Sequence, residues 1–110
     1  MDGDGNMYVS DDRRLQKFDM EGKFVRDIGK GVLRSPNSVA IDGHGSVFVV
    51  DLSKKAVVVF DRVGEFVGEF GEGELSGPVD IVVDGEGCVY VSGIQTHQID
   101  KFNNKSMWMK

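Results

Sequence analysis

Two short runs near the middle of the chain, Val47-Phe48-Val49-Val50 and Val57-Val58-Val59-Phe60, are apolar at consecutive positions. A strand in a sheet with one wet face alternates apolar and polar, whereas a strand covered on both faces need not. Around them the pattern is a repeated sequence of short β-rich runs and polar turns. Ser38-Val39-Ala40-Ile41 leads through Asp42-Gly43-His44-Gly45 into the first apolar run, and Asp51 to Lys55 form a polar loop. Ala56 to Phe60 gives a third strand, Asp61 to Gly64 a turn, and Glu65 to Phe70 a fourth strand closed by Gly71. No run shows a 3.6-residue apolar period over a helical length. The aspartate-glycine pair is expected to supply the positive φ of a tight hairpin turn, so the flanking runs should pair antiparallel.

The same grammar stands on both sides of this unit. Asp-Gly-x-Gly recurs at residues 2–5, 42–45 and 84–87, Phe18, Phe60 and Phe102 are spaced by 42, and Pro36 and Pro78 keep that spacing. The third copy has Val79 to Val83, Val89-Tyr90-Val91 and His97 to Phe102 before a degenerate end. The first begins at the turn, lacks an opening strand, and continues with Met7-Tyr8-Val9, Leu15 to Phe18 and Lys23-Phe24-Val25. A repeat of 40-odd residues built from four strands covered on both sides describes propeller blades packed face to face. The expected fold is all-β, a partial β-propeller of about two and a half to three antiparallel blades. Blade 1 spans 2–29, blade 2 36–71 and blade 3 78–110. Such units cannot bury their apolar faces alone. The remaining blades are therefore expected from a longer chain or from self-association, with a truncated gene product as the third explanation.

The blades resemble NHL repeats. The resemblance rests on Ser35-Pro36-Asn37-Ser38-Val39-Ala40-Ile41-Asp42, Gly45-Ser46-Val47-Phe48-Val49-Val50-Asp51, Val59-Phe60-Asp61 and Gly64-Glu65-Phe66-Val67-Gly68-Glu69-Phe70-Gly71. It covers nearly the whole chain, to about Phe102, and is nearest to the C-terminal blades of tripartite-motif proteins. It implies a six-bladed platform that binds substrates or RNA, serving a ubiquitin-ligase machinery whose RING and B-box zinc motifs these residues lack. The name-giving Asn-His-Leu does not occur. Before the third turn family blades often read Asn-His-Arg-Ile-Gln-Val-Phe; Arg14 and Gln16 match its arginine and glutamine, and His97 its histidine, but no copy keeps all three. The segment from Asn103 to Lys110 also departs from a fourth strand.

Composition is globular, with 40% hydrophobic and 28% charged residues. A formal charge of −5 speaks against a chain built throughout to coat nucleic acid but leaves room for a local basic patch. A single cysteine, Cys88, cannot form an internal disulfide and suits a reducing compartment. Met1 is followed by Asp2-Gly3-Asp4-Gly5 rather than a basic and then apolar run, so a soluble, cytoplasmic location is expected with no membrane partner.

Candidate chemistry is sparse. Asp2-Gly3-Asp4-Gly5-Asn6 places oxygens at alternate positions, but Met7 and Arg13 stand where an EF-hand loop has its glycine and bidentate glutamate, and hairpin geometry accounts for the repeat better. His44, His97 and Cys88 lack close zinc-ligand spacing. No nucleophile context and no phosphate-loop pattern appears, so no cofactor and no enzyme activity is expected. The enzymatic alternative, a lyase- or lactonase-like propeller, would place His and acidic side chains on the opening strands, where this chain carries small and aliphatic ones. A non-functional fragment is the other alternative. Charge is more informative. Loops between second and third strands share a rim with the links between blades, and that rim should carry Arg13, Arg14, Lys30, Arg34, Lys54 and Lys55. Such a patch would steer an anionic partner, either a protein or a single-stranded RNA backbone; a merely solvated charged surface is the plain alternative. Glu72 and Glu74 should lie on the next interblade loop, and Tyr8, Phe48 and Tyr90 within strands.

Overall fold

The computed structural model describes residues 5–70, 78–85, 87–93 and 98–102. They form ten strands in three antiparallel sheets. Blade 1 is β1 (Met7–Asp11), β2 (Arg14–Phe18) and β3 (Phe24–Ile28). Blade 2 is β4 (Pro36–Ile41), β5 (Val47–Asp51), β6 (Ala56–Phe60) and β7 (Phe66–Phe70), paired in chain order. Blade 3 is β8 (Pro78–Val83), β9 (Val89–Gly93) and β10 (Gln98–Phe102). No helix among the described residues is long and apolar enough to cross a membrane.

The consecutive apolar runs are explained by blade 2 sitting between the other two. β5 and β6 pair Val47 with Phe60, Phe48 with Val59, Val49 with Val58 and Val50 with Val57. Directly opposed residues share a face. Val47, Val49, Val58 and Phe60 therefore point one way and pack with Leu15, Ile28 and Leu33, from blade 1 and the link after it. Phe48, Val50, Val57 and Val59 point the other way and pack with Phe70 of the same sheet and Ile81, Val89 and Val91 of blade 3. Each buried Val or Phe contributes about 1.5–3 kcal/mol relative to exposure, so two apolar faces on one sheet make blade 2 the core of the molecule.

The turns are built differently from the expectation. Positive φ falls on the fourth residue of each motif, Gly45 at 85° and Gly87 at 84°, while Gly43 and Gly85 are not among the positive-φ glycines. In the 42–45 turn, Gly45 N–H donates to the Asp42 carbonyl at 3.1 Å, and Asp42 N–H to the Ser46 carbonyl at 3.1 Å. The Asp42 carboxylate accepts from the N–H of His44 and of Ser46, each at 2.9 Å. The aspartate closes the turn with its side chain and the last glycine supplies the left-handed residue. Asp19 to Gly22 and Asp61 to Gly64 follow the same scheme, with Gly22 at 84° and Gly64 at 92°. The defining pattern is thus aspartate first and glycine fourth, and the second glycine is dispensable. The Asp2–Gly5 copy lies outside the described residues but for Gly5.

Blade 1 has three strands among the described residues. Among the described residues β1 pairs with β2 alone, and Val9 is 49% exposed. On blade 3, Val82 is 58% exposed on the face turned away from blade 2. Cys88, immediately before β9, is half-buried. Tyr90 is half-buried and donates its hydroxyl proton to Asp84 at 3.0 Å.

Candidate functional site

One rim is formed by the β1–β2 turn, the β3–β4 link and the β5–β6 loop. A two-residue turn, Asp12 and Arg13, joins β1 to β2, with Asp12 at φ 41°, a conformation aspartate tolerates better than most residues. The β3–β4 link is folded back on itself, with Gly29 at φ 80° accepting at its carbonyl from Val32 N–H at 2.9 Å and Leu33 N–H at 2.8 Å. Leu33 is buried and plugs the seam between blades 1 and 2, which leaves Lys30 and Arg34 exposed on either side.

Asp51, at the end of β5, fixes this rim. It is 0% exposed. One carboxylate oxygen accepts from Arg34 N–H at 2.7 Å, the other from the N–H groups of Ser35, Ser53 and Lys54 at 3.2, 3.0 and 3.1 Å. Leu52 N–H donates to the Ser35 carbonyl at 3.0 Å, and the Ser35 and Ser53 hydroxyls lie 2.6 Å apart. A buried carboxylate is tolerated when its charge is met by several hydrogen bonds. Here those bonds clamp the interblade link to the β5–β6 loop.

Two adjoining hollows of about 600 and 580 Å³ lie along this rim and share Arg13 and Gly31. The first is lined also by Asp11, Asp12, Arg14 and Lys30, the second by Leu33, Arg34, Ser35 and Ser53. The six candidate cations therefore divide. Arg13, Arg14, Lys30 and Arg34 line one continuous groove, whereas Lys54 and Lys55 line neither hollow. Arg14 lies between Asp27 at 3.1 Å and Asp11 at 3.2 Å, and Lys54 lies 3.3 Å from Glu69. Arg13, Lys30 and Arg34 are the exposed cations of the groove. Glu72 and Glu74 fall outside the described residues, as does His97.

The opposite end holds a cleft that the sequence reading did not single out, lined by Tyr8, Lys17, Gly43, His44, Gly45 and Arg62. On the opening strands the wall is formed by Val39, Ala40 and Ile41 of β4 and Ile81, Val82 and Val83 of β8. Asp80 is the acidic exception there, accepting from the Ser38 hydroxyl at 2.8 Å and from Ile81 N–H at 2.9 Å. Among the described residues no group of three or more His, Cys, Asp or Glu side chains stands together as a metal site.

These successive antiparallel sheets, packed face to face, superpose on parts of several solved structures. Hydrazine synthase of Kuenenia stuttgartiensis superposes with a TM-score of 0.82 at 19% identity, over 97% of this chain and 32% of that one. This chain is a partial β-propeller. A luciferin-regenerating enzyme matches at a TM-score of 0.70 and 17% identity, over 94% of this chain and 40% of its own. Regucalcin of Agrobacterium tumefaciens, a calcium-binding protein, matches at 0.68 and 17%, over 94% and 40%. The propeller described here thus spans about a third to two fifths of the length of these structures. No protein-family profile and no curated protein matches the sequence.

Proposed function

We propose that this partial propeller is a non-catalytic interaction module of NHL type whose groove, carrying Arg13, Lys30 and Arg34, binds an acidic segment of a protein partner. The observation that carries the reading is the clamp at Asp51, which holds a groove edged by three exposed cations in a fixed shape. A preorganised groove binds with less ordering cost than a mobile loop. Arg14 contributes its stem to the floor, since its guanidinium is engaged by Asp11 and Asp27. Single-stranded RNA fits less well, because none of the described residues lining the two hollows is aromatic and none of them offers a platform for base stacking.

The NHL resemblance extends the proposal to substrate recognition for a tripartite-motif-type ubiquitin ligase. The ring would be completed by blades from a longer chain or from a second copy. Fluorescence anisotropy tests the groove, using a labelled peptide rich in Asp and Glu against a single-stranded RNA of equal charge. The peptide should bind more tightly, and Arg13→Ala with Arg34→Ala should weaken it by about tenfold, the sum of modest rim contributions. Equal binding of both ligands, or an unaffected double variant, would remove the groove as the site.

A further inference from the structure

We infer that the cleft between the β1–β2 face and the two turns of blade 2 is an oxyanion site for a phosphate group. It lies at the rim opposite the groove and does not depend on the function proposed above. The chemistry begins with a departure from the repeat. Lys17 takes the place in β2 that Val59 takes in β6, 42 residues on, and Tyr8 takes the place of Phe48 in β5. In blade 2 those two residues are fully buried against blade 3. In blade 1 the same face, turned toward blade 2, carries a charge.

Tyr8 and Lys17 are directly opposed across β1 and β2, and the Lys17 ammonium lies 5.7 Å from the centre of the Tyr8 ring. The ring steadies the cation above its face. Across the cleft stand His44, at the tip of the β4–β5 turn, and Arg62, in the β6–β7 turn. Arg62 is seated by the backbone, because a Cβ at Gly45 would come within 3.2 Å of its Cγ. That stem runs against the one residue of the turn whose φ, at 85°, already requires glycine.

Among the described residues the lining includes no carboxylate. Each nearby turn acid gives one carboxylate oxygen to its own turn. Asp42 accepts from His44 and Ser46 N–H, and Asp61 from Val63 and Glu65 N–H. Arg26, on the same face of blade 1, donates to the Val63 carbonyl and adds positive charge beside the cleft. The cavity measures about 70 Å³. That exceeds the roughly 10–15 Å³ one water needs and falls far below the ~300 Å³ of a site for a larger organic ligand. It suits one compact anion. A flexible ammonium side chain and a planar guanidinium side chain lining one space suit phosphoryl oxygens.

The test is a titration of the whole chain followed by amide NMR, with inorganic phosphate in one arm and a phosphoserine peptide in the other. The expected result is saturable movement of the Gly43, His44, Gly45 and Arg62 amides in the millimolar range or tighter. Lys17→Gln and Arg62→Gln should each weaken binding by about tenfold, and Lys55→Gln, an exposed cation that lines neither the groove nor the cleft, should leave it unchanged. Tighter binding of the peptide assigns the phosphate to a modified partner; equal or tighter binding of the free ion assigns it to solution phosphate. Should Lys17→Gln unfold the chain, Arg62→Gln decides alone, since Arg62 is exposed at a turn. Absence of saturation in both arms, or equal weakening by Lys55→Gln, would overturn the assignment.

Discussion

Asp51 is the residue on which the rim depends most, and its replacement separates a hydrogen-bond account from a packing account. Asp51→Ala removes a fully buried carboxylate and the acceptors of four backbone N–H groups. A hydrogen bond to a charged group contributes about 1.5–3 kcal/mol when buried. Arg34 and Ser53 are exposed, so water re-solvates part of their backbone, and removal of a buried charge returns some desolvation cost. The net loss should be about 3 kcal/mol. Asp51→Asn keeps one oxygen for Ser35, Ser53 and Lys54, but sets an NH2 group against Arg34 N–H, donor to donor. It should cost less, about 2 kcal/mol. Urea unfolding of the two variants gives the comparison, and the alanine variant should melt roughly 10–20 °C below the parent. In native-state hydrogen exchange, Arg34, Ser35, Ser53 and Lys54 should lose protection before the β5–β6 ladder does. A loss below about 1 kcal/mol for Asp51→Ala, or equal losses for both variants, would refute the clamp.

Gly29→Ala should destabilise far more than Gly31→Ala. Both sit at positive φ, but a Cβ at Gly29 meets Leu33 at 2.5 Å and Phe60 at 2.9 Å, whereas at Gly31 nothing lies within 4 Å. Thermal melts should show about 1–2 kcal/mol for Gly31→Ala and clearly more for Gly29→Ala. Phe60→Ala, at the blade 1–blade 2 seam, should cost about 3–5 kcal/mol by denaturant unfolding. Lys54→Ala breaks only the partly exposed pair with Glu69 and should change stability by less than about 1 kcal/mol in the same assay. Gly43→Ala should be nearly silent in thermal melts, while Gly45→Ala should not, because only Gly45 is at positive φ and only its Cβ meets Arg62.

The strands were legible because blade 2 is covered on both sides, and a run such as Ala56 to Phe60 admits few other readings. The position of the left-handed turn residue was not. An aspartate-glycine pair is a hairpin signal at its glycine, and it drew attention away from Gly45. Asp61-Arg62-Val63-Gly64 and Asp19-Met20-Glu21-Gly22 held the correction, since they share only the first and fourth residues with Asp42-Gly43-His44-Gly45. Strand order alone placed Arg13, Lys30 and Arg34 on one rim. It could not reveal that Arg14 is met by Asp27 or Lys54 by Glu69, because those partners come from other strands through pairing registers. Lys17 was hidden for the same reason: only the opposition of Tyr8 and Lys17 shows that its charge faces blade 2.

The central claim is that binding occurs at the Asp51-clamped groove, and amide NMR of the whole chain titrated with an Asp- and Glu-rich peptide tests it most directly. The account predicts that the amides of Arg13, Lys30, Gly31, Arg34, Ser35 and Ser53 move together and saturate, while those of the inner strands β4 and β8 stay in place. Movement confined to β4 and β8, or no saturable change along the groove, would contradict it.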